Sequence, residues 1–355
     1  MLSSNPDDTL RRALSRLVHK NDLSYDEARV CIGALLDGNA SDILKAAFLT
    51  ALSMKGESID ELRATLDVML ERSLKIRIDR YVVDTAGTGG DRIKTINVST
   101  AAAFIAAASG ACVAKHGNRA VSSVMGSADI LEYLGYNLDT DADKIKECIE
   151  GIGIGFLFAP RFHTAMKVIA DVRRRLGIRS IFNIVGPLSN PVNLSAQIVG
   201  VSSIDMLRKV AYILKDVREE VMVFHALDGM DELSNTCMNR VVWVKGGDIR
   251  EFDLDPRSVG LNHARLEDIV VNDRDTAARI FLDLLNGYAS SAIEDIAVLN
   301  ASALLIVSKR ADDFVYAIDT ARDAVRSGRA YSKLYELIKE CGNVERLKEL
   351  DESRA

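Results

Sequence analysis

The stretch YVVDTAGTGGDRIKTINVSTAAAFIAAASGACVAKHGNRAVSSVMGSADILE, residues 81–132, decides the fold. Its first apolar run, residues 81–83, predicts a short buried strand that ends in the glycine-rich turn of residues 87–91. Glycines in such a turn let backbone N–H groups approach a ligand closely, because no Cβ stands in the way. The stretch therefore opens with a strand followed by a turn that suits an anion.

A helix and a second strand are predicted next. Ser99 and Thr100 are expected to cap an alanine-rich helix that runs to residue 110. The free N–H groups at a helix start suit a phosphate. Residues 111–114 predict a buried strand with Lys115 at its carboxyl end, where open α/β sheets hold their ligands. Each signal alone is weak, but three such turns in one segment, the last at Gly126-Ser127, favour a phosphate site.

The composition is typical of a globular protein. The 355 residues suffice for one large domain or two unequal ones, and the net charge of −6 argues against non-specific nucleic-acid binding. The longest apolar run, residues 101–114, is too short to span a membrane. The five cysteines form no CxxC pair, which argues against a zinc site and predicts reduced thiols in a cytoplasmic protein.

The remaining chain changes its pattern near residue 78. Residues 7–72 predict four short helices, two of them with capping boxes at Ser24 and Ser58. After residue 78, strands alternate with helices, which is typical of a largely parallel sheet. Residues 164–177 predict another helix, and residues 183–191 predict a rigid loop.

An acidic pair, Asp231-Glu232, follows the predicted strand of residues 221–224. Adjacent carboxylates are common on surface loops, so the pair alone indicates little. Carboxylates near phosphates are unfavourable unless a cation lies between them, and Mg²⁺ is the usual cation. The residues therefore predict a metal-assisted enzyme that acts on a phosphorylated or pyrophosphorylated small molecule.

Seven motifs, in this order, resemble those of the anthranilate phosphoribosyltransferase family. They are Gly87-Thr-Gly-Gly-Asp91, Asn97-x-Ser-Thr100, Lys115-His-Gly-Asn-Arg119, Gly126-Ser-Ala-Asp129, Val172-Arg-Arg-Arg-Leu-Gly-Ile-Arg179, Phe182-Asn-x-x-Gly-Pro-Leu-x-Asn-Pro191 and Asp228-Gly-x-Asp-Glu-Leu-Ser234. The resemblance implies an α/β protein in which a small all-helical N-terminal domain is hinged to a large α/β domain with a mostly parallel central sheet flanked by helices. The expected helical domain is residues 1–75 joined by about 161–187, and the expected α/β domain is residues 79–355.

The resemblance also implies a reaction. The phosphoribosyl group of phosphoribosyl pyrophosphate (PRPP) would pass to the amine of anthranilate, with release of pyrophosphate, in tryptophan biosynthesis. The cofactor would be Mg²⁺, expected as two ions per subunit. The expected assembly is a cytoplasmic homodimer that pairs through the helical domain, with no nucleic-acid or membrane partner.

The matching motifs carry over the roles of individual residues. The implied catalytic residues are Lys115, Asn118 and Arg173. The implied PRPP contacts are Gly87, Gly89, Gly90, Asp91, Thr95, Asn97, Ser99, Thr100, Lys115 and Ser127. The implied anthranilate contacts are Gly87, Asn118, His163 and Arg173, and the implied metal ligands are Ser99, Asp231 and Glu232. A structural role is the alternative for His163, and His116 lies in a matching motif without an assigned role.

Three positions depart from the family pattern. Thr164 follows His163 where proline is common, Val124-Met125 stand where a basic or small residue is usual, and residues 235–239 replace a stretch with Thr-Gly-Pro. The alternative functions are a pyrimidine nucleoside phosphorylase-like enzyme and a non-catalytic relative that binds nucleic acid.

Overall fold

The structure is a computed structural model that describes residues 5–90, 93–120 and 123–352. These residues divide into two units. The helical unit comprises the described residues up to Lys75 together with Pro160–Pro191, and the α/β unit comprises Ile76–Ala159 and the described residues from Val192 onwards.

The helices and strands follow one another along the chain with short connections. The helices are α1 (Pro6–Leu17), α2 (Tyr25–Leu36), α3 (Asp42–Lys55), α4 (Ile59–Glu71), α5 (Val98–Ala108), α6 (Ser127–Tyr133), α7 (Ala142–Gly151), α8 (Ala159–Phe162), α9 (Lys167–Leu176), α10 (Ile181–Val185), α11 (Ile204–Leu214), α12 (Arg274–Leu285), α13 (Ser291–Val307), α14 (Phe314–Arg326), α15 (Arg329–Cys341) and α16 (Val344–Glu352). The strands are β1 (Val82–Gly87), β2 (Cys112–Gly117), β3 (Ile154–Phe158), β4 (Ala196–Gly200), β5 (Glu220–Ala226), β6 (Asn239–Lys245) and β7 (Asp248–Leu254).

The helical unit contains the four predicted helices α1–α4. Ser24 and Ser58 form the predicted capping boxes, each with the glutamate three residues later. The prediction of a loop at residues 183–191 was wrong in its first part, because α10 begins at residue 181. The Asn183 side chain accepts the Ser180 N–H at 3.0 Å and so closes a capping box that starts this helix.

One sheet runs through the described part of the α/β unit, in the order β3-β2-β1-β4-β5-β6-β7. Strands β1 to β5 pair in parallel, and β6 and β7 add antiparallel strands at one edge. The sheet is therefore mostly parallel and flanked by helices, as the sequence predicted. Strand β2 continues to Gly117, three residues past the predicted end, because it stays paired with β3 to the Gly117–Phe158 pair.

Two apolar helices form much of the core of this unit. Helix α5 and helix α13 pack against each other, and nearly all their side chains are buried. Such helices are apolar around their whole circumference because they touch other elements on every side. Helix α5 begins at Val98, so the residue at its N-cap is Asn97 and not Ser99 as predicted.

In the described ranges, no helix combines the length and the apolar character needed to cross a membrane.

Candidate active site

Strands β1 and β2 part towards their carboxyl ends. Their register covers Val82–Cys112 and Val83–Val113, whereas β1 stays paired with β4 to Gly87–Gly200. Beyond this point a side chain links the two strands, since Oδ1 of Asp84 in β1 accepts the His116 N–H of β2 at 3.3 Å. Polar groups can therefore lie between the two strand ends.

Lys115 occupies this opening. Its side-chain Nζ donates to the Thr85 carbonyl oxygen at 2.6 Å and lies 3.5 Å from the Ser99 hydroxyl oxygen. The residue is only 3% exposed. Burial lowers the pKa of Lys115 from its ordinary value, and the carboxylates of Asp84 and Glu232 oppose that shift. The lysine places a buried hydrogen-bond donor beside the first turn of α5.

The acidic pair meets both the glycine turn and the start of α5. Asp231 Oδ2 accepts the Gly89 N–H at 2.6 Å, and Glu232 Oε1 accepts the Ser99 N–H at 3.2 Å. Both N–H groups are of the kind that also binds phosphate. The structure thus brings together the three predicted metal ligands, the glycine turn and Lys115.

Two glycines allow this close approach. A Cβ at Gly87 would overlap the Asp231 carboxylate, and a Cβ at Gly200 would overlap the Asp231 carbonyl oxygen. The acidic loop is the segment of residues 227–238, which connects β5 to β6 and carries Asp231-Glu232. Side chains larger than hydrogen at the ends of β1 and β4 are therefore incompatible with the observed path of this loop.

Polar side chains form hydrogen bonds that hold the acidic loop in place. Asn300 of α13 accepts the Leu233 N–H at 2.9 Å and donates to the Leu233 carbonyl oxygen at 2.8 Å. Asp228 accepts the hydroxyls of Ser234 at 2.7 Å and Thr236 at 2.5 Å. Asn239 accepts the Ser234 N–H at 2.7 Å. The residues that depart from the family pattern at 235–239 thus support the loop directly.

A second set of hydrogen bonds surrounds the start of α6. The Asn118 carbonyl oxygen accepts the Ala128 N–H at 3.1 Å and the Ser127 hydroxyl at 3.4 Å. The Asn97 side chain donates to the Met125 carbonyl oxygen at 2.9 Å, so Asn97 fastens the start of α5 to the segment before α6. These bonds join Asn118 to Ser127 and hold Asn97 against the residue that precedes Gly126.

The other predicted residues have varied positions. Gly90 is exposed within the glycine turn, Thr95 forms an isolated antiparallel bridge with Val270, and Thr100 is buried in the first turn of α5. His116 is buried in β2, where its backbone N–H reaches Asp84. Asp91 lies outside the described residues.

Arg173 and His163 belong to the helical unit. The Arg173 guanidinium lies 5.5 Å from the centre of the Phe182 ring and donates to Asn183 Oδ1 at 3.3 Å. The guanidinium therefore lies within cation–π distance of an aromatic ring. His163 Nε2 lies 3.5 Å from the Ser189 hydroxyl, and burial lowers the pKa of His163 to about 4. This histidine is neutral at pH 7 and serves there as a hydrogen-bond group and not as a cation.

Sequence reasoning missed Asp84, Thr85, Gly200 and Asn300. Asp84 and Thr85 lie in a strand that was predicted only as far as residue 83, although this polar pair shortly before the glycine turn was a usable signal. Asn300 lies inside an apolar helix, and its contact with a loop 67 residues away leaves no local pattern.

Comparison with known proteins gives consistent matches over both units. Residues 79–331 match the model of the glycosyl transferase family, a/b domain, and residues 11–73 match the model of the glycosyl transferase family, helical bundle domain. The anthranilate phosphoribosyltransferase of Nitrosomonas europaea is 41% identical over 328 residues, which are 92% of this chain and 96% of the relative. The enzyme of that name from Acetivibrio thermocellus is 42% identical over 332 residues, 93% of this chain and 96% of the relative.

This chain belongs to the anthranilate phosphoribosyltransferase family. The solved structure of a member from Thermus thermophilus has a TM-score of 0.86 and 37% identity, covering 93% of this chain and 99% of that one. A member from Saccharomyces cerevisiae, solved in complex with PRPP and Mg, has a TM-score of 0.86 and 26% identity, covering 94% of this chain and 98% of that one. The family's fold therefore extends over nearly the whole chain.

We expect Gly200→Ala to displace the acidic loop of this family member. The new methyl group would overlap the Asp231 carbonyl oxygen, so the free energy of unfolding should fall by about 1–3 kcal/mol. Hydrogen exchange at the Leu233 amide should become faster. Gly151→Ala is the matched control, since a Cβ at Gly151 would meet no atom within 4 Å. Unchanged exchange at Leu233 in Gly200→Ala would contradict the close approach.

Proposed function

We propose that this chain transfers the phosphoribosyl group of PRPP to the amine of anthranilate, giving N-(5-phosphoribosyl)anthranilate and pyrophosphate, in L-tryptophan biosynthesis. The observation that carries the proposal is the convergence of the glycine turn, the start of α5 and Lys115 on the Asp231-Glu232 pair. Anion-binding donors beside carboxylates suit a pyrophosphate bound together with a cation. Membership of the family selects the substrates.

PRPP would bind along the carboxyl ends of β1 and β2. The glycine turn and the first turn of α5 offer backbone N–H groups, and Lys115 offers a positive donor that folding has already placed. In this proposal the PRPP contacts are Gly87, Gly89, Gly90, Asp91, Thr95, Asn97, Ser99, Thr100, Lys115 and Ser127. Because the fold places Lys115 and the first turn of α5, little reorganisation of these two groups is needed as the pyrophosphate departs.

Ser99, Asp231 and Glu232 would hold Mg²⁺, in this proposal as two ions per subunit. The donor set fits, since two carboxylates and a hydroxyl are the hard oxygen ligands that Mg²⁺ prefers. Within the described ranges, no group of three or more His, Cys, Asp or Glu side chains could hold a metal ion. In this proposal the substrate supplies further oxygen ligands. When bound, Mg²⁺ supplies charge neutralisation for the leaving pyrophosphate.

The acceptor would be positioned by Gly87, Asn118, His163 and Arg173. The planar Arg173 guanidinium suits the carboxylate of anthranilate, and the neutral His163 imidazole can donate or accept one hydrogen bond without attracting a second anion. The aromatic amine of anthranilate is uncharged at pH 7, so the reaction needs orientation more than a strong base. Catalysis would thus rest on Lys115, Asn118 and Arg173 as positioned polar groups.

The proposed domain assignment is residues 1–75 with about 161–187 for the helical domain and residues 79–355 for the α/β domain. We further propose a cytoplasmic homodimer that pairs through the helical domain. Ile43 and Met54, eleven residues apart on α3, are each 82% exposed, and that spacing places them on one face of the helix. Two large apolar side chains on one exposed face favour contact with another protein surface.

Activity is tested by following anthranilate fluorescence in the presence of PRPP and Mg²⁺. The proposal predicts that the signal falls with time and that a chelator stops the change. A steady signal, together with phosphorolysis of thymidine or uridine, would instead support a nucleoside phosphorylase.

The double variant Asp231→Asn with Glu232→Gln should reduce turnover about 100-fold or more, because it removes both negative ligands. The new amide at position 231 would keep an oxygen that can accept the Gly89 N–H, so the fold should persist. Glu267→Gln with Asp268→Asn changes another adjacent acidic pair of the α/β unit and should leave the rate unchanged. Normal Mg²⁺-dependent turnover in the first double variant would refute the metal assignment.

Arg173→Ala should raise the KM for anthranilate about 10- to 100-fold and leave the KM for PRPP nearly unchanged, since a charged hydrogen bond to the acceptor is lost. Arg175→Ala removes a mostly exposed arginine of the same helix and serves as the control. An equal effect of Arg173→Ala on both substrates would remove Arg173 from the acceptor site.

Ile43→Glu with Met54→Glu should convert the proposed dimer into a monomer of 38.8 kDa, because two charges would enter the apolar contact of each subunit. Light scattering after size-exclusion chromatography gives the mass. Tyr316→Glu changes a side chain that is 60% exposed on α14 and should leave the mass at twice that value. A dimer that survives the double substitution would place the interface elsewhere.

A further inference from the structure

Two cysteine thiols meet outside the candidate active site. The Sγ atoms of Cys148, in α7, and Cys341, the last residue of α15, are 3.3 Å apart. Both cysteines are free, and helices α7 and α15 pack directly against each other. Because a disulfide has an S–S distance of about 2.05 Å, a small approach of the two sulfurs is enough to form one.

A cavity of ≈ 490 Å³ that is open to solvent lies beside the end of α15. It is lined by Cys341 together with residues of the segment 135–144 and of the turn at residues 340–343. The pair itself is protected, since Cys148 is 1% and Cys341 5% exposed. Cys341 is the last residue of α15. A small reagent in the cavity therefore lies against the end of α15, and its reaction with the buried thiols requires a local opening of the structure there.

The two thiols differ in acidity. The hydrogen bond between them lowers the pKa of the Cys148 thiol, and the Lys144 ammonium acts in the same direction, against burial and the carboxylates of Glu340 and Glu147. The same hydrogen bond and burial raise the pKa of the Cys341 thiol, so Cys148 is the more acidic of the two. Lys144 lines the same cavity. The thiolate is the form of cysteine that reacts with oxidants.

We propose that Cys148 and Cys341 form an oxidisable thiol pair, which a hydroperoxide entering through this cavity converts into a disulfide between α7 and the end of α15. One sulfur attacks the peroxide, the O–O bond breaks, and a sulfenic acid and water form. The second sulfur attacks the sulfenic sulfur, the S–S bond forms and a second water leaves. Two thiols and one hydrogen peroxide thus give one disulfide and two waters.

The disulfide would add a covalent link to hydrogen bonds that already join the end of α15 to the segment between α6 and α7. The Cys341 carbonyl oxygen accepts the Asn137 N–H at 2.9 Å, and the Asn343 N–H donates to the Gly135 carbonyl oxygen at 2.8 Å. These bonds already fasten the end of α15 to the segment between α6 and α7. A covalent link between residues 193 positions apart would also restrict the unfolded chain, so oxidation should raise Tm.

The test uses the complete chain, treated with hydrogen peroxide and then alkylated under denaturing conditions. We expect two of the five thiols to become protected, a mass decrease of about 2 Da before alkylation, and a cross-linked peptide that joins Cys148 to Cys341. Dithiothreitol should restore both thiols. The oxidised protein should melt about 5 °C or more above the reduced protein.

Cys112→Ser is the matched control, since Cys112 is also a buried thiol of the α/β unit and its sulfur contacts the Ile149 carbonyl oxygen. This variant should form the same cross-link, whereas Cys148→Ser and Cys341→Ser should not. Five alkylated thiols after peroxide, or a cross-linked peptide with another pair, would overturn the proposal. Because the peptide map is made on the unsubstituted chain, this test holds even if a serine variant fails to fold.

Discussion

The carboxylate of Asp231 accepts the Gly89 N–H, and the other features of the candidate site depend on this contact. It places a negative charge against a turn whose N–H groups suit a phosphate. The loop can reach this position because Gly87 and Gly200 carry no Cβ, and it stays there because Asn300 and Asp228 bond its backbone and hydroxyls. A pyrophosphate and two carboxylates can share such a place only when a cation lies between them, which is why the proposed function includes Mg²⁺.

The opening between β1 and β2 complements the acidic loop. A parallel ladder that continued to the strand ends would have occupied the groups with which Lys115 and Asp84 interact. The buried Lys115 ammonium is stabilised by the Thr85 carbonyl oxygen and by the carboxylates of Asp84 and Glu232. The fold itself therefore places these charges, and preorganised charge is what a reaction with an anionic leaving group requires.

The sequence predicted much of this arrangement. Alternating apolar runs and helix caps predicted the mostly parallel sheet and helices α1–α4, because these signals are local and repeat at a fixed period. The order of the seven motifs predicted that Ser99, Lys115 and Asp231-Glu232 belong to one site, and the structure brings these residues together. The errors have physical causes. Strand β2 runs past Ala114 because β3 pairs with it, and Asn300 was not predicted because its partner lies far away in the sequence. Such contacts depend on tertiary structure and leave no periodic pattern.

Calorimetric titration of PRPP into the protein, with and without Mg²⁺, tests the central claim most directly. If the Asp231-Glu232 pair binds the pyrophosphate through a cation, removal of Mg²⁺ should weaken PRPP binding at least about tenfold, because carboxylates and phosphates then repel each other. The double variant Asp231→Asn with Glu232→Gln should lose this dependence on Mg²⁺. Equal PRPP affinity of the unsubstituted chain with and without Mg²⁺ would contradict the account.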